Sequence, residues 1–105
     1  MTFEEDASDP LTVIHAIDEL IDEFHPELIN FDIMFKTVGI KIRYENFETH
    51  TRAKTLETYT NDKQIIKDMA TYLVQPFLSV GGKIRLIGVR VSSFKSEDQK
   101  TLLNI

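Results

Sequence analysis

Apolar residues recur at spacings of three and four in two segments, and this spacing predicts two amphipathic helices. The apolar positions of the first run from residue 11 to residue 28, and this helix is expected to open at Asp9, whose carboxylate can accept from free N–H groups of the first turn. Pro26 is expected to end or kink it near Phe24 and His25, because proline removes a helical hydrogen bond. The second helix is expected to begin at Asn61 and Asp62, both of which can cap a helix, and to stop at Pro76.

In three other segments the apolar period falls to two, which predicts β-strands. Residues 35–47 and 49–56 alternate on either side of a turn at 45–46 and predict an antiparallel hairpin. Residues 83–94 alternate again after a turn at 81–82 and predict the last strand.

The order of these elements predicts an α+β fold in which two helices pack on one face of a small antiparallel sheet of three to four strands. We assign this domain to residues 1–95 and a polar tail to residues 96–105. The other face of the sheet is expected to lie in water. The charged and titratable residues that we expect on this face, with Glu48 as its only acid, are Lys41, Arg43, Arg52, Lys54, Arg90 and His50.

The formal charge of −5 hides a strong division along the chain. Residues 1–35 hold ten acids and no Lys or Arg, whereas residues 36–95 hold eleven Lys and Arg against five acids. Binding depends on the charge presented within a Debye length, about 10 Å at 0.1 M salt, and not on the total. The acidic average therefore does not exclude a polyanionic partner.

Composition excludes several classes of function. The chain has no cysteine, which removes disulfides and thiolate chemistry. It has no apolar run of the roughly 20 residues that a membrane span needs, and its acidic start is unlike a secretion signal. We expect a soluble, cytoplasmic chain without a membrane partner.

Two candidate sites of chemistry are better explained as ordinary structure. Asp22 and His25 have the spacing of a helix metal-ligand pair, but no second histidine accompanies them, and a solvated helix face is the better interpretation. The glycines at 81–82 precede a strand and lack the upstream glycine of a phosphate-binding loop. We expect no catalytic residue, no metal, no cofactor and no small-molecule substrate in this chain.

The cationic face is more specific. Any half-exposed sheet needs polar residues, but these are then expected to carry charges of both signs. Here nearly all of the charges are positive, and they lie among small residues such as Gly39 and Gly88. Cations and small hydroxyls position proteins on phosphates. We expect no exposed aromatics on these strands, which favours duplex over single-stranded nucleic acid. The alternative is a protein-interaction domain that docks an acidic partner on this face.

Four segments together resemble the little finger domain of Y-family translesion DNA polymerases, in the DNA polymerase IV and kappa branch. They are TFEED (2–6), FKTVGIKIRYENF (35–47), THTRAKTL (49–56) and RLIGVRVSSF (85–94). The acidic first helix is most similar to that of archaeal members. The resemblance implies four strands backed by two helices, laid in the major groove of duplex DNA.

The resemblance also implies phosphate contacts in the third and last strands. The matching positions are Arg52, Lys54, Arg85, Gly88 and Arg90, which join Lys41 and Arg43 from the alternation. Arg85 falls on the side of its strand that should face the core.

Two departures from the family pattern qualify the resemblance. The family's first strand begins upstream of Thr2, so this edge strand is expected to be truncated and largely absent. The catalytic palm is not part of the sequence either, so we do not expect this chain alone to polymerise DNA. The parent is expected to be a DNA-directed DNA polymerase that uses Mg²⁺ for damage bypass.

The C-terminal tail resembles a sliding-clamp peptide. Gln99 and Leu102 have the spacing of that motif, and Ile105 occupies its first aromatic position. A disordered tail is the alternative.

Overall fold

The structure is a computed structural model that describes residues 1–78 and 82–95. Four strands form one antiparallel sheet in the order β1-β4-β2-β3, and two helices pack against one of its faces. The elements are β1 (Thr2–Ala7), α1 (Pro10–Asn30), β2 (Phe35–Tyr44), β3 (Thr49–Thr60), α2 (Lys63–Leu78) and β4 (Ile84–Phe94). The predicted α+β fold is confirmed.

Helix α1 begins where the sequence predicted but ends later. The Asp9 carboxylate accepts a hydrogen bond of 3.0 Å from the Leu11 N–H. The helix continues through Pro26 to Asn30, so the expectation that it could end near Phe24 and His25 was wrong. Leu28, which is 5% exposed, packs in the core beyond the proline, and this burial favours the additional turn.

Helix α2 shows the same pattern. The Asp62 carboxylate accepts from the backbone N–H groups of Gln64 at 2.8 Å and Ile65 at 3.2 Å, which confirms the predicted start. The helix does not stop at Pro76 but extends to Leu78. Phe77 is 7% exposed and anchors this last turn in the core.

The core lies between the helices and the inner face of the sheet, and every residue that is buried in the described part of the chain is apolar, Gly39 and the hydroxyl of Tyr44 excepted. Its largest fully buried side chains include Phe35 and Ile42 from the sheet and Ile17 and Ile66 from the helices. None of the described helices is long and apolar enough to cross a membrane.

Asp22 and His25, the pair with metal-ligand spacing on α1, contact α2 and the loop just before it instead. Asp22 lies 2.8 Å from the Nζ of Lys63 and 3.3 Å from that of Lys67. Hydrogen bonds from these lysines lower the pKa of the Asp22 carboxyl. The Nε2 of His25 donates to the Asn61 carbonyl at 2.9 Å.

Strand β1 is present, although the sequence predicted that it would be largely absent. It pairs with the first half of β4, with Thr2 opposite Leu86 and Ala7 opposite Ile84. The apolar side chain of Phe3 packs against the core, which explains why so short an edge strand forms.

Candidate nucleic-acid interface

The pairing register of the strands decides which side chains share the uncovered face of the sheet. On β2, Val38, Ile40 and Ile42 are buried towards the helices, so the residues between them point the other way. Direct cross-strand partners share a face. We call the paired residues of β2, β3 and β4 on this uncovered side the open face; they are Thr37, Gly39, Lys41, Arg43, Thr49, Thr51, Ala53, Thr55, Leu86, Gly88, Arg90 and Ser92.

The open face carries charge of one sign. Lys41, Arg43 and Arg90 are its charged residues, and none of its positions is an acid. Lys41 and Arg90 are exposed, and within the described chain neither makes an ion pair or a side-chain hydrogen bond. The Nε of Arg43 donates to the Thr49 hydroxyl at 3.0 Å, which fixes its direction across the strands. Two cations that form no ion pair within the described chain therefore lie in the middle of the face.

Hydroxyl groups continue the open face beyond the cations. The Thr37 hydroxyl lies 2.9 Å from that of Thr55 and 2.8 Å from that of Ser93, so three strands are joined by one hydrogen-bonded row. Such hydroxyls can both donate and accept, and their donors suit phosphate oxygens.

A shallow depression of about 450 Å³ lies in the middle of the open face. Small residues at Gly39, Gly88 and Ala53 contribute to its lining, and Lys41 and Arg90 lie beside them. The low floor allows another backbone to approach the sheet closely.

The structure contradicts the prediction that Arg52, Lys54 and His50 lie on the open face. Their partners on β2 are Ile40, Val38 and Ile42, so all three side chains point to the helix side. Arg52 lies 5.1 Å from the Phe77 ring centre, and the Nζ of Lys54 lies 5.0 Å from that of Tyr72.

The physical reason is the position of β3. It is the outer strand of the sheet, and its helix-side residues extend past the full cover of α2, so they can be charged without being buried. Register could have revealed this, because a hairpin that pairs Arg43 with Thr49 also pairs Lys41 with Thr51. Glu48 follows the hairpin turn and lies 3.5 Å from His50, and it does not belong to the open face.

Arg85 avoids the core through an irregularity in β4. Arg43 pairs with Leu86 and Tyr44 with Ile84, so Arg85 is the additional residue of a β-bulge, and Ile84 takes the buried position. The Arg85 guanidinium lies 4.4 Å from the Phe47 ring centre.

The remaining predicted sites can be placed briefly. Gln99, Leu102 and Ile105 lie outside the described residues. Within the described ranges, no group of three or more His, Asp or Glu side chains is arranged to hold a metal ion.

Comparison with known proteins gives a consistent result. Residues 1–103 match the impB/mucB/samB family C-terminal domain. The chain is 37% identical over 102 residues to DNA polymerase IV 2 of Methanosarcina mazei, covering 97% of this chain and 27% of that protein. It is 42% identical over 91 residues to DNA polymerase IV of Methanoculleus marisnigri, covering 87% of this chain and 25% of that one. The chain thus spans about a quarter of the length of these relatives.

Two solved structures share the fold. The little finger domain of PolIV, in its complex with the beta-clamp processivity factor, aligns with a TM-score of 0.73 at 19% identity, covering 92% of this chain and 86% of that one. A ternary complex of Dbh aligns with a TM-score of 0.75 at 14% identity, covering 88% of this chain and 27% of that one.

Proposed function

Because the chain belongs to the impB/mucB/samB C-terminal domain family, the little finger domain of Y-family DNA polymerase IV, we propose that it grips duplex DNA without reading its base sequence. Membership of this family confirms the resemblance expected from the sequence. The observation that carries the proposal is the open face, where cations are gathered without a carboxylate around a floor of small residues.

The chemistry of the open face favours the DNA backbone over the bases. Lys41, Arg43 and Arg90 supply charge-assisted donors, and the threonine and serine hydroxyls supply neutral ones. Bidentate Asn or Gln contacts read adenine edges in the major groove, and the open face has neither Asn nor Gln. Contacts of this type fix the position of a duplex and carry little sequence information.

The cations outside the open face have a secondary place in this proposal. Arg85 lies near the β2–β3 turn, where its guanidinium can reach a phosphate beyond the end of the face. Arg52 and Lys54 lie along the outer edge of the sheet and would contact only a DNA strand that passes beside β3. Gly88 would act through its half-buried backbone next to Lys41.

We extend the proposal to the parent protein from its relatives, which are named DNA polymerases. The parent would be a DNA-directed DNA polymerase in translesion synthesis, and Mg²⁺ would act in a catalytic palm outside this chain. Its place would be the cytoplasm. The tail residues Gln99, Leu102 and Ile105 would contact a sliding clamp, since the similar PolIV domain forms a complex with one.

A neutralising substitution with a charge-matched control tests the DNA-binding face. Lys41→Gln removes one positive charge from the open face, and Thr12→Glu lowers the net charge equally at an exposed position of α1. We expect Lys41→Gln to weaken binding of a fluorescein-labelled duplex to a similar extent for unrelated sequences and to reduce the salt slope by about one. Thr12→Glu should leave the affinity nearly unchanged. Equal losses from the two variants would mean that net charge, and not the open face, drives binding.

A further inference from the structure

Two glycines lie in adjacent rows of the open face, and neither is there for its backbone conformation. Gly39 is on β2 opposite Arg90, and Gly88 is on β4 opposite Lys41. Neither has the positive φ that disfavours other residues. Glycine inside a strand weakens the strand, so each position needs a reason in the space that a side chain would occupy.

The space above Gly39 is filled by Arg90. A Cβ atom on Gly39 would lie 3.3 Å from the Nε and 3.4 Å from the Cγ of Arg90, and 3.5 Å from the Arg52 carbonyl oxygen. Gly39 is buried although it belongs to the open face, because the Arg90 side chain crosses it. The arginine therefore lies flat over β2, with its stem in contact with the glycine backbone.

The space above Gly88 is different. A Cβ there would meet only the Cβ of Lys41, at an ordinary contact distance of 3.6 Å. No side chain covers the glycine as Arg90 covers Gly39, and Gly88 lines the same depression as Lys41 and Arg90. Gly39 therefore lies beneath Arg90, and Gly88 leaves the floor of the depression beside Arg90 uncovered.

We propose that Gly39 is a positioning residue that seats Arg90 across β2, and that Arg90 so held forms with Lys41 and the bare Gly88 backbone a notch for one phosphodiester group. This inference rests on the proposed grip on duplex DNA and adds where that grip is centred. Since Arg90 makes no ion pair within the described chain, the glycine surface, and not a carboxylate, holds its side chain. A guanidinium that is ordered before binding loses less conformational entropy when the phosphate arrives.

A double-mutant cycle separates this role from a general effect of added bulk. The variants are Gly39→Ala, Arg90→Ala and their combination, with Gly88→Ala as the matched glycine control, and the probe is a short fluorescein-labelled duplex. We expect Gly39→Ala to weaken binding about three- to tenfold while the melting temperature is maintained or raised, because alanine restricts the unfolded chain. We expect Gly88→Ala to weaken binding as well, because its Cβ would cover the floor of the notch. In the Arg90→Ala background, Gly39→Ala should have no further effect, whereas the loss from Gly88→Ala should persist.

Wild-type affinity for Gly39→Ala, or an equal loss with and without Arg90, would overturn the inference while leaving the proposed function intact. Failure of the wild-type chain to bind duplex at all would overturn the proposed function, and this inference with it. Nitrogen-15 relaxation of the Arg90 Nε in the free protein gives a test that needs neither DNA nor a folded variant. An ordered Nε supports the seat on Gly39, and a freely mobile one contradicts it.

Discussion

The hydroxyl of Tyr44 donates a hydrogen bond of 3.1 Å to the carbonyl oxygen of Phe77 and so joins the end of β2 to the last turn of α2. Carbonyl groups in the last turn of a helix have no partner within the helix. Tyr44 supplies the missing hydrogen-bond donor from the sheet, next to the β2–β3 turn that ends the open face. The same contact fixes the end of α2 after Pro76.

Tyr44→Phe should therefore destabilise the fold without altering the open face. The substitution removes the donor and leaves the Phe77 carbonyl buried, which costs about 1–3 kcal/mol. Chemical denaturation monitored by circular dichroism measures the change. Wild-type stability for Tyr44→Phe would mean that water replaces the hydroxyl at the carbonyl without cost.

The same tyrosine should make stability fall at alkaline pH. Burial, with a smaller contribution from Glu48, raises the pKa of Tyr44 above its ordinary value of 10.0. A raised folded-state pKa gives stability that is complete below the unfolded pKa and is lost as pH rises through the folded pKa. The difference in unfolding free energy between wild type and Tyr44→Phe should shrink above pH 10. A difference that stays constant across this range would contradict the assignment.

The ion pair between Asp22 and Lys63 should stabilise the packing of α1 on α2 at neutral pH and should lose this effect in acid. Because Lys63 and then Lys67 lower the pKa of Asp22, its contribution is present above the unfolded carboxyl pKa and is lost as pH falls through the folded value. We expect Asp22→Asn to lower the melting temperature at neutral pH and low salt, and to match wild type in acid. Glu19→Gln, an equal charge change at an exposed position of α1, is the control and should have little effect. Equal shifts for the two variants would attribute the effect to net charge.

The open face should contribute more to DNA affinity than the edge of β3. Lys41→Gln with Arg90→Gln, and Arg52→Gln with Lys54→Gln, remove the same charge from the two surfaces. Because the side chains of the first pair lie on the open face and those of the second pair point to the helix side, we expect the first pair to cause the larger loss, about thirtyfold if each contact contributes roughly 1 kcal/mol. A larger loss from the edge pair would move the centre of the interface to β3.

Local signals in the sequence were sufficient for the starts of both helices, because the Asp9 and Asp62 caps act within three residues. The helix ends were not predictable in this way. Pro26 and Pro76 are helix breakers locally, and burial of residues beyond them in the core prevails.

Only part of the open face could be predicted, because the rest depends on contacts between strands that are distant in the sequence. Lys41 and Arg90 follow from alternation within their own strands. The side on which Arg52 lies depends on the pairing of β3 with β2, and the position of Arg85 depends on a bulge that alternation does not reveal. The seat of Arg90 on Gly39 is a cross-strand contact and needed the structure.

The salt dependence of duplex binding tests the central claim most directly. Binding of a fluorescein-labelled duplex to the wild-type chain should be measured at several salt concentrations and for two unrelated sequences. If the three cations of the open face and Arg85 each neutralise about one phosphate, log K should fall against log salt with a slope of roughly −4, and the two sequences should bind equally. A slope near zero, as for an ordinary protein-docking surface, or a strong preference for one sequence, would contradict the account.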